Sequence, residues 1–411
     1  MKIRVNHIAQ LLNTREAPKL LRGKELAELP LIRNAWLTIE NGIITGYGGD
    51  KDPFPEGNDW TLVDAGGATV LPAWCDSHTH LVFAASREDE FVDKINGLSY
   101  AEIAARGGGI LESARRLSAM TEDELYNAAW LRLQSLMRLG TGAIEIKSGY
   151  GLDTENELKM LRVIRRLKAT APIPVKASFL GAHTYPPAYK EDHEGYIRLI
   201  IQEMLPAIAK EGLADYIDVF CEEGFFGVEE TERICRAGIQ FGLKPKIHAN
   251  QLHASGGVEL GVKLGAVSVD HLESMNASAI QALSGSDTIG TLLPTAAFFL
   301  RMPFQPAREL ISANAAIALA SDFNPGSSPS GNMNFVVSLS CIQMKLQPAE
   351  AINAATLNGA YAMELGDMLG SITVGKRANL IFTTPIPSVN YLPYAFGTNL
   401  IDRVMINGAF I

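Results

Sequence analysis

The sequence predicts an α/β fold, a (β/α)8 TIM-like barrel joined to a small β-sandwich formed by both chain ends. Three observations lead to this prediction. From residue 68 onward, short apolar runs alternate with longer amphipathic stretches. Polar residues follow those runs one after another. Both ends of the chain instead show the alternating pattern of β-strands.

The barrel prediction depends on eight short runs rich in Val, Ile, Leu and Ala. They lie at residues 68–74, 142–146, 174–180, 216–220, 244–249, 266–272, 288–294 and 315–321. Between them, residues 121–140 and 155–169 carry apolar side chains at three- and four-residue spacing, which is typical of amphipathic helices. Eight strands that alternate with helices favour a closed barrel over a doubly wound sheet.

The chain ends predict a separate β unit. Residues 34–48 and 399–411 each carry an Asn-Gly pair between alternating runs, which is a hairpin signal. We therefore predict a composite β-sandwich domain from residues 1–67 and 368–411. The barrel then occupies residues 68–367.

Composition narrows the classes of partner. A chain of 411 residues with a formal charge of −9 argues against nucleic acid or an anionic membrane as a partner. No apolar run approaches the ~18 residues of a membrane span. The four cysteines form no CxxC pair, so a reducing cytoplasm is the expected location.

The ends of the predicted strands carry the residues with chemistry. In chain order these are His78, His80, Lys147, His183, Glu222, His248, His271 and Asp322. Because the carboxyl ends of barrel strands form the active face, we expect these side chains to meet there. Five of the eight histidines in the chain lie at strand ends, which a random scatter would not produce.

Three histidines and an aspartate predict a metal site. His78 and His80 project to the same side of a strand and can bind one ion together. His248 and Asp322 would complete a set of imidazole and carboxylate ligands that suits zinc or iron. We expect one divalent or trivalent ion per chain, open to water, which makes the site catalytic.

These residues stand in motifs that resemble the amidohydrolase superfamily and, within it, the imidazolonepropionase family. The similar segments are HTHLVF, SREDEF, SYAEIAARGGGI, EIKSGYGLDTENELKMLRVI, FLGAH, ADYIDVFCEEGFF, KIHANQL, SVDHLE and SDFNPGSSP. The resemblance implies hydrolytic ring opening of 4-imidazolone-5-propanoate to N-formimidoyl-L-glutamate in L-histidine degradation, by a hydroxide bound to the metal. It also implies a single-metal site.

The resemblance assigns roles to further residues. Asp322 would also shuttle the proton, and His271 would orient the nucleophile or the oxyanion. Arg87 would bind the substrate carboxylate; its alternative is a surface ion pair with Glu88 or Glu90. The remaining expected substrate contacts are Tyr100, Tyr150, His183, Gln251, Asn324, Gly326 and Ser327. Gln251 replaces a Glu of some family members and cannot accept a proton, which leaves the base role to Asp322 and His271.

Three alternatives stay open at this point. The chain could hydrolyse another ring, such as a hydantoin or a purine, or it could be a non-catalytic scaffold. Lys147 invites comparison with binuclear enzymes that use a carboxylated lysine, although an ion pair near Glu145 agrees better with one metal. A homodimer is expected from the resemblance.

Overall fold

The computed structural model describes residues 1–54, 59–98, 102, 106 and 108–411, which form two eight-stranded sheets and a surrounding set of helices. The parallel sheet runs in chain order from its first strand to its eighth. Its strands are β6 (Trp74–Thr79), β7 (Thr141–Lys147), β8 (Val175–Ala182), β9 (Tyr216–Cys221), β10 (Lys244–Ala249), β11 (Ser268–His271), β12 (Ile289–Leu292) and β13 (Ile317–Leu319).

The parallel sheet closes into a barrel through hydrogen bonds between the end of β6 and the residues that follow β13. The His80 amide donates to the Phe323 carbonyl at 2.9 Å, and the Asp322 amide donates to the His78 carbonyl at 3.0 Å. The predicted (β/α)8 barrel is thereby confirmed. The same two hydrogen bonds bring His78, His80 and Asp322 to one place.

Helices cover the outside of the barrel. The two predicted helices are found at Glu122–Arg138 and Thr154–Thr170. Each begins at a capping side chain, Thr121 or Asp153, that accepts a hydrogen bond from the backbone amide three residues later. The other described helices are Glu88–Ile95, Ile110–Ala119, His193–Leu199, Leu205–Glu211, Val228–Gln240, Gly257–Lys263, Ala277–Leu283, Pro294–Leu300, Ala307–Ser312, Met333–Met344, Pro348–Ala355, Leu357–Tyr361 and Tyr391–Tyr394. Among the described residues, none of the helices is both long and apolar enough to cross a membrane.

The second sheet is mixed and joins the two ends of the chain. It contains β1 (Lys2–Leu12), β2 (Leu31–Glu40), β3 (Ile43–Gly49), β4 (Thr61–Asp64), β5 (Thr69–Pro72), β14 (Leu380–Thr383), β15 (Ile401–Ile406) and β16 (Ala409–Phe410). Both Asn-Gly pairs form the predicted hairpins. Asn41, Gly42, Asn407 and Gly408 all have positive φ, as a type I′ turn requires.

The first predicted barrel strand, at residues 68–74, is wrong as a single element. Thr69–Pro72 forms β5, which pairs with β1 and β14 in the mixed sheet. The change of sheet falls at Ala73, whose amide donates to Asn379, while the amide of Trp74 donates to Gly140. Both strands are buried along their whole length, so apolar periodicity could not separate them.

Candidate active site and metal centre

A small cavity of about 70 Å³ lies at the carboxyl end of the barrel. It is lined by His80, Tyr150, His183, Phe220, His248, Gln251, His271, Asp322, Asn324 and Ser327. His78 lies fully buried in the same cluster. The structure thus brings together residues that the sequence spreads from position 78 to position 327.

An outer cavity of about 550 Å³ shares walls with this inner one. Arg87 and Gly326 line the outer cavity together with Tyr150, His183 and Gln251. Of the residues predicted to contact the substrate, Tyr100 alone falls outside the described residues. Every other predicted contact faces one or both of the two cavities.

Asp322 and the histidines form a compact set of potential ligand atoms. Asp322 Oδ1 is 3.6 Å from His78 Nε2 and 3.5 Å from His80 Nε2. Ligating atoms of His78, His248 and His271 also lie within 4.8 Å of one another. The Nε2 atoms of His78 and His248 are buried and have no hydrogen-bond partner. Buried imidazole nitrogens without partners are costly unless a ligand satisfies them, so this donor set fits a metal ion.

Two of these imidazoles donate a hydrogen bond from Nδ1 to a buried carboxylate. Asp270 Oδ2 accepts from His78 Nδ1 at 2.6 Å, and Asp218 Oδ1 accepts from His248 Nδ1 at 3.0 Å. A proton held on Nδ1 leaves the Nε2 lone pair facing the ligand cluster. Sequence reasoning missed Asp218 and Asp270. Their signal was an acid within an otherwise apolar strand, in YIDVF and SVDHL.

Lys147 is part of the same buried arrangement. Its Nζ lies 2.6 Å from Glu145 Oε1, 2.7 Å from Asp218 Oδ2 and 3.5 Å from Asp270 Oδ2. Burial alone would lower the pKa of Lys147, but Asp218 and Glu145 raise it above its ordinary value. Lys147 is therefore a charged, ion-paired residue, as expected from one of the two interpretations of the sequence. These three ion pairs agree with the single-metal interpretation, in which Lys147 is not a ligand.

Burial sets the protonation of the cluster. It lowers the pKa of His78 and His80 well below the ordinary value and that of His183 to about 3, so these imidazoles are neutral. Burial would also lower the pKa of His271, but Glu273 raises it. Glu273 Oε1 lies 3.4 Å from His271 Nδ1 and was likewise missed from the sequence.

The backbone has an unusual conformation at two of the functional residues that stand at strand ends. His271 has φ 89° and Asp322 has φ 51°, conformations that L-residues seldom adopt. Non-glycine residues in this region are typical of functional sites, where the surrounding structure holds the strain. In this backbone conformation both side chains line the inner cavity.

The loop after Asp322 is fixed by its own side chains. Asn324 Oδ1 accepts from the amides of Gly326 and Ser327, both at 2.8 Å. Ser327 Oγ donates to Asp322 Oδ2 at 3.3 Å. In this structure Asn324 shapes the loop, and Ser327 connects the loop to the ligand cluster.

Arg87 forms the ion pair that the alternative interpretation named, yet it also lines the outer cavity. Its Nη2 lies 2.5 Å from Glu90 Oε2, and its Nε is buried without a partner. A guanidinium that keeps a free donor can still bind a carboxylate. The two interpretations of Arg87 are therefore compatible.

Comparisons with known proteins agree with this fold. The amidohydrolase family profile matches residues 228–411. Over its whole length, the fold is similar to guanine deaminase from E. coli (TM-score 0.76, 15% identity, 100% of this chain and 99% of that one). It is also similar to a zinc-bound adenosine deaminase from Xanthomonas campestris (TM-score 0.70, 17% identity, 99% of this chain and 92% of that one). At such identities the two structures show the fold alone.

The closed barrel, the histidine–aspartate cluster at its carboxyl end and the matching profile define an amidohydrolase. The sequence narrows the class further: the chain is 57% identical to the imidazolonepropionase of Flavobacterium johnsoniae over 99% of both chains. The chain belongs to the imidazolonepropionase family.

Proposed function

We propose that the chain hydrolyses the ring of 4-imidazolone-5-propanoate, with the residues of the inner cavity carrying the reaction. Water adds to the ring carbonyl carbon, the adjacent C–N bond breaks, and the released nitrogen takes a proton. The product is N-formimidoyl-L-glutamate, an intermediate of L-histidine degradation. The observation that carries this proposal is that His78 shares one cluster of potential ligand atoms with His80 and Asp322 and another with His248 and His271, while the Nε2 atoms of His78 and His248 have no hydrogen-bond partner.

His78, His80, His248 and Asp322 would hold a single zinc or iron ion. When bound, such an ion activates water as a nucleophile and stabilises negative charge on a carbonyl oxygen. The donor set of neutral imidazoles and one carboxylate suits both metals. His271 belongs to the same cluster of potential ligand atoms, and we assign it to the reacting groups because Glu273 favours its charged form.

Asp322 would move the proton. Its carboxylate accepts a proton from the attacking water and delivers it to the leaving ring nitrogen. The hydroxyl of Ser327 donates to Asp322 Oδ2, which holds the carboxylate in orientation during this transfer. His271 would orient the water or donate to the developing oxyanion. Gln251 lines both cavities but can only form hydrogen bonds, so it would orient the water or the ring.

The outer cavity would hold the propanoate. Arg87 presents a guanidinium there, and Tyr150 and His183 lie where they can contact either the ring or its side chain. The Nδ1 of His183 donates to the Gly149 carbonyl at 3.0 Å, which leaves Nε2 as an acceptor. Asn324, Gly326, Ser327 and Tyr100 complete the proposed set of contacts.

The first test follows loss of 4-imidazolone-5-propanoate by ultraviolet absorbance, with the metal quantified on the same sample. Turnover that disappears on chelation and in His248→Ala, together with metal loss in that variant, supports the proposal. His193→Ala is the matched control, because His193 lies at the start of a surface helix away from both cavities. A full metal site without turnover would contradict the assignment of 4-imidazolone-5-propanoate as the substrate. Other cyclic amides would then be tested.

We further propose a homodimer that works in the cytoplasm. Support comes from the family resemblance and from four cysteines that are all free thiols. Light scattering coupled to gel filtration measures the mass in solution. A mass of one chain at micromolar concentration would contradict the dimer.

A further inference from the structure

Arg87 does not give the outer cavity a net positive charge, because a carboxylate of the protein already neutralises it. Arg87 is paired with Glu90, and both side chains are nearly buried, at 11% and 13% exposure. Glu90 is held in place because its other oxygen accepts from the Gly109 amide at 2.9 Å. Although burial would raise the pKa of Glu90, the hydrogen bonds from Arg87 and Gly109 lower it, so this carboxyl is ionised. Arg87 and Glu90 together contribute no net charge.

Lys94 supplies the missing positive charge. It lies one helical turn after Glu90 and lines the outer cavity beside Arg87, Tyr150 and Gln251. Its Nζ donates to the Gly326 carbonyl at 3.4 Å and lies 5.6 Å from the centre of the Phe299 ring. Among the residues that the structure describes, no carboxylate lies within 4.0 Å of this ammonium.

The position of Lys94 places its charge where the substrate's side chain must reach. The inner cavity is small, so in the proposed reaction the imidazolone ring would occupy it and the propanoate would extend into the outer cavity. There the carbonyl of Gly326 holds the ammonium on the same loop segment that contacts Arg87. A half-buried ammonium facing a cavity interacts with a carboxylate far more strongly than one at the open surface.

We propose that Lys94 binds the substrate carboxylate together with Arg87 and makes the outer end of the cavity net positive. In this arrangement two cations bind the carboxylate. Lys94 lies on the helix Glu88–Ile95, and Arg87 is the residue before that helix. This inference rests on the proposed function, since it concerns the substrate of that reaction.

The test compares KM and kcat of Lys94→Gln with those of the unaltered protein. We expect KM for 4-imidazolone-5-propanoate to rise roughly tenfold or more, because a charge-assisted hydrogen bond is lost, while kcat changes little. Lys94→Arg should recover most of the affinity. With the neutral substrate 4-imidazolone-5-propanamide, Lys94→Gln should leave KM unchanged. Lys190→Gln, which removes an exposed lysine remote from both cavities, is the control.

Several outcomes would overturn the proposal. An unchanged KM in Lys94→Gln would do so, as would an equal rise of KM for the acid and for its amide. A fall of kcat alone would show a structural role. If Lys94→Gln does not fold, Lys94→Met is measured in its place, because its side chain still packs against Phe299. Absence of turnover in the unaltered protein would instead contradict the proposed function.

Discussion

At the scale of single residues, Gly326 shows how closely the outer cavity is packed around Arg87. A Cβ atom at position 326 would lie 2.4 Å from Arg87 Nη1. The amide of the same residue donates to Asn324, so the loop cannot easily move away. Only glycine at this position leaves the guanidinium in place.

Gly326→Ala should therefore weaken substrate binding. The added methyl group displaces Arg87 from its position, and we expect KM to rise roughly tenfold, as for loss of one charge-assisted hydrogen bond. Gly397→Ala is the matched control, because a Cβ there meets nothing within 4 Å. Equal kinetic constants for the two variants would contradict this account of Gly326.

At the scale of elements, four strands combine to build a charged layer inside the barrel. Strand β7 contributes Glu145 and Lys147, β9 contributes Asp218, β10 contributes Lys246, and β11 contributes Asp270. All five side chains are fully buried. Lys246 pairs with Glu145, and Lys147 pairs with Glu145, Asp218 and Asp270. Asp270 and Asp218 of this layer accept hydrogen bonds from His78 and His248. The positions of these carboxylates therefore orient the imidazoles of the ligand cluster.

Lys147→Met should destabilise the protein strongly. Removing one partner leaves buried carboxylates without compensation, which costs about 3–5 kcal/mol in comparable cases. Urea unfolding of metal-free protein measures the loss. Lys263→Met breaks an exposed pair with Glu232 and should cost at most about 1 kcal/mol.

The same variant also reports on the metal site. If Lys147 orders Asp218 and Asp270, folded Lys147→Met should contain less metal than the unaltered protein. Folded protein with full metal and unchanged stability would show that the layer is not needed to hold the imidazoles.

At the scale of the whole molecule, the residues that would hold the metal come from the two ends of the barrel sheet. His78 and His80 belong to the first strand and its end, whereas Asp322 follows the last strand. Hydrogen bonds between these segments already close the barrel. An ion held by all three would add a further connection across the closure.

Removal of the metal should therefore lower thermal stability as well as activity. Binding to the folded state alone stabilises by about 2.7 kcal/mol when free ligand is at one hundred times its Kd. We expect Tm of chelated protein to rise when zinc or iron is added back. His248→Ala should show a much smaller rise, and an equal rise in this variant would place the ion elsewhere.

The whole-molecule fold was largely predictable because its signals are local. Apolar runs alternating with helical patterns predicted seven of the barrel strands closely, and the Asn-Gly pairs predicted both hairpins. The exception is the run at residues 68–74. Two consecutive buried strands share one apolar run, and only hydrogen-bond partners reveal that they belong to different sheets.

The sequence by itself determined which candidate ligands stand at the ends of the barrel strands, since side-chain type and order along those strands are properties of the chain. His78, His80, His248 and Asp322 could be named because strand ends of a barrel must converge. The tertiary structure alone decided which groups support them. Asp218 and Asp270 contact the imidazoles from other strands, and Lys147 contacts both aspartates. Lys94 lines the outer cavity, where its ammonium donates to the carbonyl of Gly326. Such contacts depend on distances between segments far apart in sequence, which no local pattern of residues encodes.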